Sequence, residues 1–233
     1  MLQRAVGILE SIGRRTLAPL STSMSSTLEE TRAAKRRHID VGEGPSSVPL
    51  PPPSDARMPD FRNGLFLAPM VRIGSLPTRL LALEYGADLV WGPEVVDRAI
   101  MGAERRVNAS TGEVEFMKDE KQVFSCHPAE RDRLIYQVGS ATPEYAAEAV
   151  RIVTEHDDVA GVDLNCGCPQ AWAYSEQIGS YLLRQPETVR DMVRAIKGRL
   201  GDGYCVSVKI RVDSDLRNTD ALVRNALHAG ASM

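Results

Sequence analysis

Two cysteines with a glycine between them form the segment of this sequence best suited to chemistry. Cys166 and Cys168 belong to the run Asn-Cys-Gly-Cys-Pro that begins at Asn165. A thiol on a loop directed by glycine and proline can serve as a nucleophile, a metal ligand or a proton donor, and it can also be a small buried hydrophobic residue. A zinc site is the least favoured of these, because the cysteines are too close for the usual ligand spacing and no histidine pair follows. We therefore predict no metal.

Three polar side chains lie at the ends of apolar runs. Lys209 lies in an otherwise apolar run, where a charge is costly unless it faces an anionic partner or an open mouth of the fold. A phosphate or an electron-rich cofactor ring would supply that partner. Gln137 and Asn165 each offer a donor and an acceptor, which suits the polar edge of a flavin or a pyrimidine. Either amide can equally cap a strand end, so both interpretations stay open at this point.

Five short apolar runs alternate with helix-period segments, which predicts an α/β fold with a parallel sheet. The predicted strands are residues 65–70, 87–92, 134–139, 159–165 and 204–211. We predict helices that begin at Thr142-Pro143, that run from Pro186 to a stop at Gly201, and that run from about Thr219 to Gly230. A sixth strand is expected to begin where the chain ends at Met233.

The number of units predicts a particular architecture. Five strand and helix units occupy about 170 residues, whereas a barrel of eight units needs roughly 250. We therefore predict the N-terminal five or so units of a TIM-type (β/α) barrel. In such barrels the functional residues gather at the carboxyl ends of the strands, and here polar residues follow all five predicted strands.

Composition excludes several classes of protein. The chain has 233 residues, 43% of them hydrophobic, which excludes wholesale disorder. With 28 Lys and Arg against 31 Asp and Glu, the net charge is −3, so any RNA binding must use a local patch. Apolar stretches fall far short of the roughly 20 residues of a membrane helix. Four cysteines without a C-x-x-C pair indicate reduced thiols, and we predict a cytoplasmic protein.

Residues 1–60 differ from the rest of the chain. Residues 1–26 are compatible with a mitochondrial presequence or with an unstructured leader, and Lys35 to Arg37 form a short basic run of the kind found in nuclear signals. Residues 44–59 contain six of the fourteen prolines and are interpreted as a linker. The predicted catalytic domain is residues 61–233.

Several motifs resemble the eukaryotic tRNA-dihydrouridine synthases, in family order and at family spacing over about residues 63–231. They are Leu67–Arg72, Leu76–Leu80, Tyr85–Val90, Tyr136–Gly139, Gly161–Pro169 and Val208–Arg211. The first half, with an insertion from about Arg105 to Arg133, resembles the branch that modifies position 20 of the D-loop. The segment Asn165–Ala173 instead resembles the 20a/20b branch.

The resemblance implies a flavin enzyme in which NADPH reduces FMN, hydride passes to C6 of a uracil in tRNA, and a cysteine delivers a proton to C5. Cys168 matches that cysteine, with Cys166 as the local rival. The same resemblance implies that Pro69, Met70 and Val71 line the flavin. It also implies that Gln137 and Lys209 form hydrogen bonds to the flavin ring, and that Asn165 contacts the flavin or the uracil.

The resemblance also implies a tRNA partner whose D-loop uridine must be extruded to reach the cofactor. Arg72, Arg79 and Arg211 are expected to help hold phosphates. Family members continue with three more strands, the loops that grip the FMN phosphate and a helical RNA-binding domain. We therefore expect a truncated form, and two alternatives follow: a catalytically incomplete fragment, or another FMN barrel oxidoreductase that acts on a small substrate.

Overall fold

The computed structural model describes Pro59 and residues 61–233. The predicted leader, the basic run and all but Pro59 of the linker lie outside these described residues. Within them, no helix is both long enough and apolar enough to cross a membrane.

The described chain contains two sheets. The strands are β1 (Phe66–Leu67), β2 (Leu89–Trp91), β3 (Val95–Val96), β4 (Glu104–Val107), β5 (Val114–Lys118), β6 (Lys121–Cys126), β7 (Leu134–Gly139), β8 (Gly161–Cys166) and β9 (Cys205–Ile210). A parallel sheet has the order β1-β2-β7-β8-β9, with β3 also paired to β7. The predicted α/β class is thus confirmed, and a strand lies in each of the five predicted ranges, although β1 covers only two of the six residues predicted at 65–70.

Helices connect the parallel strands. They are α1 (Leu76–Glu84), α2 (Asp97–Ile100), α3 (Pro143–Thr154), α4 (Ala171–Ser175), α5 (Pro186–Leu200) and α6 (Leu216–His228), with 3₁₀ segments at Pro128–Arg133 and Gly179–Arg184. The predicted helix starts at Thr142 and Pro186 are confirmed, and the hydroxyl of Thr142 accepts from the backbone N–H of Tyr145. Helix α6 begins three residues before the predicted Thr219, because Asp215 caps it by accepting from the N–H of Arg217.

The alternation of side chains gives the parallel sheet two faces. Val138, Leu164 and Val208 lie in register on the face that packs against α3 and α5, within the main hydrophobic core. Leu89, Trp91 and Ile135 form a smaller apolar cluster on the opposite face. The opposite face is therefore the one that a closed barrel would turn inward.

The insertion between β3 and β7 forms a second sheet that the sequence analysis did not predict. Strands β4, β5 and β6 are antiparallel. Phe116 of β5 and Phe124 of β6 are both buried, and the ring of Phe124 packs on Tyr136 of β7 with centroids 5.0 Å apart. The insertion therefore extends the main core instead of forming a separate one.

The last residues lie along the outer edge of β9. The N–H of Ser232 donates to the carbonyl of Val206 at 2.6 Å, and the N–H of Val208 donates to the carbonyl of Met233 at 2.8 Å. The chain thus starts to pair with β9 where the sixth strand was predicted to begin.

Candidate functional site

The carboxyl edge of the parallel sheet brings the predicted polar residues together. On the opposite face, Gln137, Asp163 and Ser207 lie side by side in register on β7, β8 and β9. Asn165 and Lys209 pair two residues further toward the carboxyl edge. The face is therefore apolar at one end and polar at the end where a ligand would enter.

Asp163 is the centre of the polar row. Its carboxylate accepts from Nε2 of Gln137 at 2.7 Å and from the hydroxyl of Ser207 at 2.6 Å. Burial raises its pKa to about 6, although both hydrogen bonds and the positive charge of Lys209 act in the other direction. Gln137 therefore uses its amide N–H on Asp163, which leaves its carbonyl oxygen for a ligand.

Lys209 carries the positive charge of this face. Its side chain is exposed, and it forms no ion pair with any residue in the described part of the chain. Its charge stabilises the carboxylate of Asp163 from a distance. The ammonium group is therefore available to an anionic ligand or to an electron-rich ring.

Asn165 shapes the loop that carries Cys168. Its Oδ1 accepts from the backbone N–H of Gly167 at 2.9 Å and from that of Cys168 at 3.1 Å. The side chain thus closes a local turn of the kind that asparagine favours. This oxygen is engaged with the backbone, so any ligand must meet the amide nitrogen.

Further contacts fix the same loop. The carbonyl of Cys168 accepts from the N–H of Ser180 at 2.9 Å, and Nε of Arg211 donates to the carbonyl of Gly167. A Cβ on Gly179 would lie 2.8 Å from both Cβ and O of Cys168. Gly179 also has a positive φ of 64°. Both the lack of room for a side chain and the backbone conformation therefore favour glycine at this position.

The two rival cysteines lie in different surroundings. Cys166 is the last residue of β8 and is fully buried in the helix-packed core, and burial raises the pKa of its thiol well above the ordinary value. Cys168 is half-buried on the loop. Of the two thiols, only that of Cys168 can reach a ligand at the carboxyl edge.

Glu94 follows β2 and lies beside the end of β7, where a Cβ on Gly139 would collide with its Oε1. Burial raises its pKa, and the side chains of Asn165 and Cys168 act in the other direction. Glu94 comes two residues after the predicted strand 87–92.

The residues after β1 lie at the same edge. Pro69 and Met70 are half-buried, and Val71 is 56% exposed. The turn is closed by the N–H of Gly74, which donates to the carbonyl of Met70 at 2.7 Å, and Arg72 has a positive φ of 71°. The exposed side chains of Val71 and Arg72 are available to a ligand.

The expectation that Arg79 holds a phosphate is wrong. Its guanidinium is buried, and it donates to Glu130 from Nε and Nη2 at 2.8 Å each. It also donates to the carbonyls of Gly74 and Ser125 at 2.7 Å. Four of its five N–H donors, from all three nitrogens, therefore serve the fold. The side chain of Arg211 is exposed, but its Nε donates to the carbonyl of Gly167 in the Cys168 loop.

No group of three or more His, Cys, Asp or Glu side chains among residues 59 and 61–233 is arranged to hold a metal ion.

Comparison with known proteins identifies the family of this site. A family profile described as dihydrouridine synthase (Dus) matches residues 66–233, which is more than half of the chain. This chain belongs to the dihydrouridine synthase family. The match runs from the first strand of the parallel sheet through the Cys168 loop and β9, so it includes every element that forms the site.

Curated relatives of this chain come from both suspected branches. The chain is 43% identical to a Schizosaccharomyces pombe protein named tRNA-dihydrouridine(20) synthase [NAD(P)+]. The 178 aligned residues cover 73% of this chain and 37% of the relative. It is 37% identical to the Saccharomyces cerevisiae protein of that name, over 74% of this chain and 47% of the relative. It is 36% identical to a Schizosaccharomyces pombe tRNA-dihydrouridine(20a/20b) synthase [NAD(P)+], over 71% and 46% respectively. The chain thus spans less than half the length of each of these relatives.

Two further site residues of this family member were missed in the sequence. Asp163 and Ser207 lie within predicted strands, and the alternation that places Asn165 and Lys209 at the edge places these two residues on the same face. A carboxylate inside an apolar run is as unusual as the lysine that was singled out. The sequence therefore contained a signal for Asp163.

Proposed function

We propose that this chain carries the catalytic site of an FMN-dependent tRNA-dihydrouridine synthase, which reduces a D-loop uridine of tRNA to 5,6-dihydrouridine with NADPH as reductant. The observation that carries the proposal is the position of Cys168, a half-exposed thiol on a tightly fixed loop at the polar carboxyl edge of a parallel sheet. The names of the relatives support it, since each is called a tRNA-dihydrouridine synthase [NAD(P)+].

As part of this proposal, the parallel strands are the first five of a TIM-type barrel. Their opposite face, with its row of Gln137, Asp163 and Ser207, then lies inside the barrel, and the carboxyl edge forms its mouth. We keep the cytoplasm as the predicted location, because it contains the proposed substrate. The mitochondrial and nuclear signals lie outside the described residues.

The residues of this edge suit a flavin. A flavin ring needs polar partners along one edge and apolar contacts on its face. Gln137 keeps a carbonyl oxygen, Asn165 an amide nitrogen, and Lys209 an ammonium group without an ion-pair partner among the described residues. We propose that these three hold the ring edge and that Pro69, Met70 and Val71 line the ring. When bound, FMN supplies the hydride that NADPH provides.

The residues of this chain supply orientation and a proton. Cys168 is proposed to act as a general acid that donates its thiol proton to C5 of the uracil. Asn165, Gly179 and Arg211 hold the loop so that the thiol keeps one position. The uracil must leave the base stack of the tRNA to reach this thiol. Arg72 is exposed at the same edge, where we propose that it contacts the phosphate of the extruded nucleotide.

The first test is flavin binding. We expect the purified chain to retain a visible flavin band after incubation with FMN and removal of the free cofactor. Lys209→Met should weaken that retention, whereas Lys121→Met, an exposed lysine at the β5–β6 turn, should not. A colourless wild-type chain would show that these residues do not hold FMN without further parts of a longer protein.

The second test concerns Cys168. In a tRNA transcript with NADPH, Cys168→Ala should lower dihydrouridine formation by about 10²- to 10⁴-fold, the usual contribution of a general acid. The oxidation of NADPH by the flavin should continue in the same variant. Unchanged product would contradict the assignment of Cys168. Equal turnover of free uracil or a small enone without tRNA would favour the small-substrate oxidoreductase.

A further inference from the structure

Three polar side chains form a buried row across neighbouring strands of the parallel sheet. Gln137 of β7, Asp163 of β8 and Ser207 of β9 lie in register on the opposite face. Each of the three residues is at most 2% exposed. Buried polar groups are costly unless they find hydrogen-bond partners, so the bonds within the row decide what it can offer to a ligand.

Both carboxylate oxygens of Asp163 are engaged, each by a different strand. Oδ2 accepts from Nε2 of Gln137 at 2.7 Å, and Oδ1 accepts from the hydroxyl of Ser207 at 2.6 Å. Strands β7 and β9 flank β8, so the two hydrogen bonds reach the carboxylate from its two sides. Together they hold the carboxylate in one position.

The carboxylate determines which end of the Gln137 amide faces it. A carboxylate can only accept, so the NH₂ end of the amide must face Asp163 and the carbonyl must face away. The reverse orientation would place two acceptor oxygens against each other. The pKa of Asp163 is about 6, so the carboxylate is mostly ionised at neutral pH and keeps this selection.

The carbonyl oxygen of Gln137 remains for a ligand. Nothing donates to this Oε1 among the described residues. It is also absent from the solvent-inaccessible side-chain atoms of these residues that lack a partner, which are Nε1 of Trp91, Oε1 of Glu94 and Oη of Tyr136. The oxygen therefore meets solvent, although the rest of the side chain is buried.

An acceptor at this position selects a ligand that carries an N–H group. The oxidised isoalloxazine ring of a flavin has a single N–H, the imide between two carbonyl groups. Lys209, two residues beyond Ser207 on β9, offers N–H donors on the same face, which suits those carbonyls. The groups of this face thus match the imide edge of the ring.

We propose that Asp163 is a positioning residue for the cofactor: it holds the Gln137 amide so that the carbonyl oxygen of Gln137 accepts from the imide N–H of the flavin. Ser207 in turn fixes Asp163. The orientation of the amide stands on the hydrogen bonds of the row, whereas the flavin rests on the proposed function.

The first experiment follows the side-chain amide of Gln137 by NMR and needs no flavin. The Nε2 signals are identified by their absence from Gln137→Met. In the wild type they should titrate with a midpoint near pH 6, because the pKa of Asp163 is about 6. One amide proton should exchange with solvent at least about tenfold more slowly than in Asp163→Ala, the effect of one hydrogen bond to a charged group.

The conservative variant separates charge from orientation. Asp163→Asn keeps an oxygen that accepts from Gln137, so the slow exchange should remain while the titration disappears. Gln137 signals that neither titrate nor change in Asp163→Ala would overturn the proposal.

The second experiment compares the binding of FMN with that of 3-methyl-FMN, in which a methyl group replaces the imide hydrogen. The wild type should bind FMN at least about tenfold more tightly, because the analogue leaves the Gln137 oxygen unpaired. Asp163→Ala should lose most of this preference, and Asp163→Asn should retain it. A merely structural role of Asp163 would weaken the binding of both flavins equally, and an unchanged ratio in Asp163→Ala would refute the positioning role.

Controls keep the comparison decisive. Asp202→Ala removes an exposed aspartate from the turn before β9 and should leave the ratio unchanged. If circular dichroism shows that Asp163→Ala is unfolded, Ser207→Ala takes its place, because it frees one carboxylate oxygen and should lower the same ratio.

The two proposals fail in different ways. Equal binding of FMN and 3-methyl-FMN by the wild type would overturn the positioning role and leave the proposed function intact. A wild type that binds neither flavin would overturn the flavin part of both proposals, and the NMR experiment would still decide the orientation of the amide.

Discussion

Asp163 shows at the residue scale how a site can include a buried charge. Its carboxylate has two hydrogen bonds and a nearby lysine, yet burial outweighs them and raises its pKa to about 6. The residue holds the amide of Gln137 in one orientation.

The raised pKa of Asp163 predicts a pH dependence of stability. The ordinary pKa is 3.8, so between about pH 4 and pH 6 the unfolded chain releases this proton while the folded chain keeps it. The wild type should therefore lose on the order of 3 kcal/mol as the pH rises through this window, and the loss should level off above it. Asp163→Asn should lack this contribution.

Urea denaturation at pH 4, 5, 6 and 7 checks this prediction. The free energy of unfolding of the wild type minus that of Asp163→Asn should fall as the pH rises. Parallel curves for the two proteins would show that Asp163 has the same pKa in both states.

At the scale of elements, the Cys168 loop is held by a glycine. Gly179 combines a positive φ with a close approach to Cys168, so an alanine there would be strained and would push the loop. Gly198 offers the opposite situation, because a Cβ there meets nothing within 4 Å and the residue lies inside α5.

These two glycines make a matched pair of variants. Gly179→Ala should lower the free energy of unfolding by about 1–3 kcal/mol and should change the alkylation rate of Cys168. Gly198→Ala should raise the stability by about 0.5–1 kcal/mol and leave that rate unchanged. Denaturant titration and iodoacetamide kinetics measure both. Equal stability of the two variants would contradict the close packing of Gly179 against Cys168.

At the scale of the whole molecule, one buried ion pair joins three parts of the chain. Arg79 of α1 is bound to Glu130 of the 3₁₀ segment and to the carbonyl of Ser125 in β6. The side chains of the pair are 2% and 0% exposed, so neither charge can turn to water. The pair therefore fixes the antiparallel insertion against the start of the parallel sheet.

Breaking this pair should destabilise the whole fold. Glu130→Gln leaves a buried guanidinium without a counter-charge, and we expect a loss of about 3–5 kcal/mol. Glu104→Gln removes a carboxylate from an exposed pair with Arg106 and should cost at most about 1 kcal/mol. Urea denaturation compares the two, and a similar small loss in both would argue against a structural role for the buried pair.

The α/β class could be predicted from the sequence, and so could three of the polar residues that lie on one face of the parallel sheet, Gln137, Asn165 and Lys209. Strand periodicity and turn residues are local, so β7, β8, β9 and the starts of α3 and α5 were predictable. The motif around Cys168 was sufficient to suggest the family. The antiparallel sheet was not predicted, because its β5–β6 turn uses Asp119 and Glu120, both with positive φ, where such turns usually carry Asn-Gly.

Which groups lie next to one another depends on the tertiary structure. The sequence presented Arg79 as a phosphate ligand, but a glutamate 51 positions later in the chain neutralises it. It presented Cys166 as a rival of Cys168, but the former faces the helices. Charges and hydrogen bonds depend on distance in space, and residues far apart in the chain come together only when the sheet and its loops have formed.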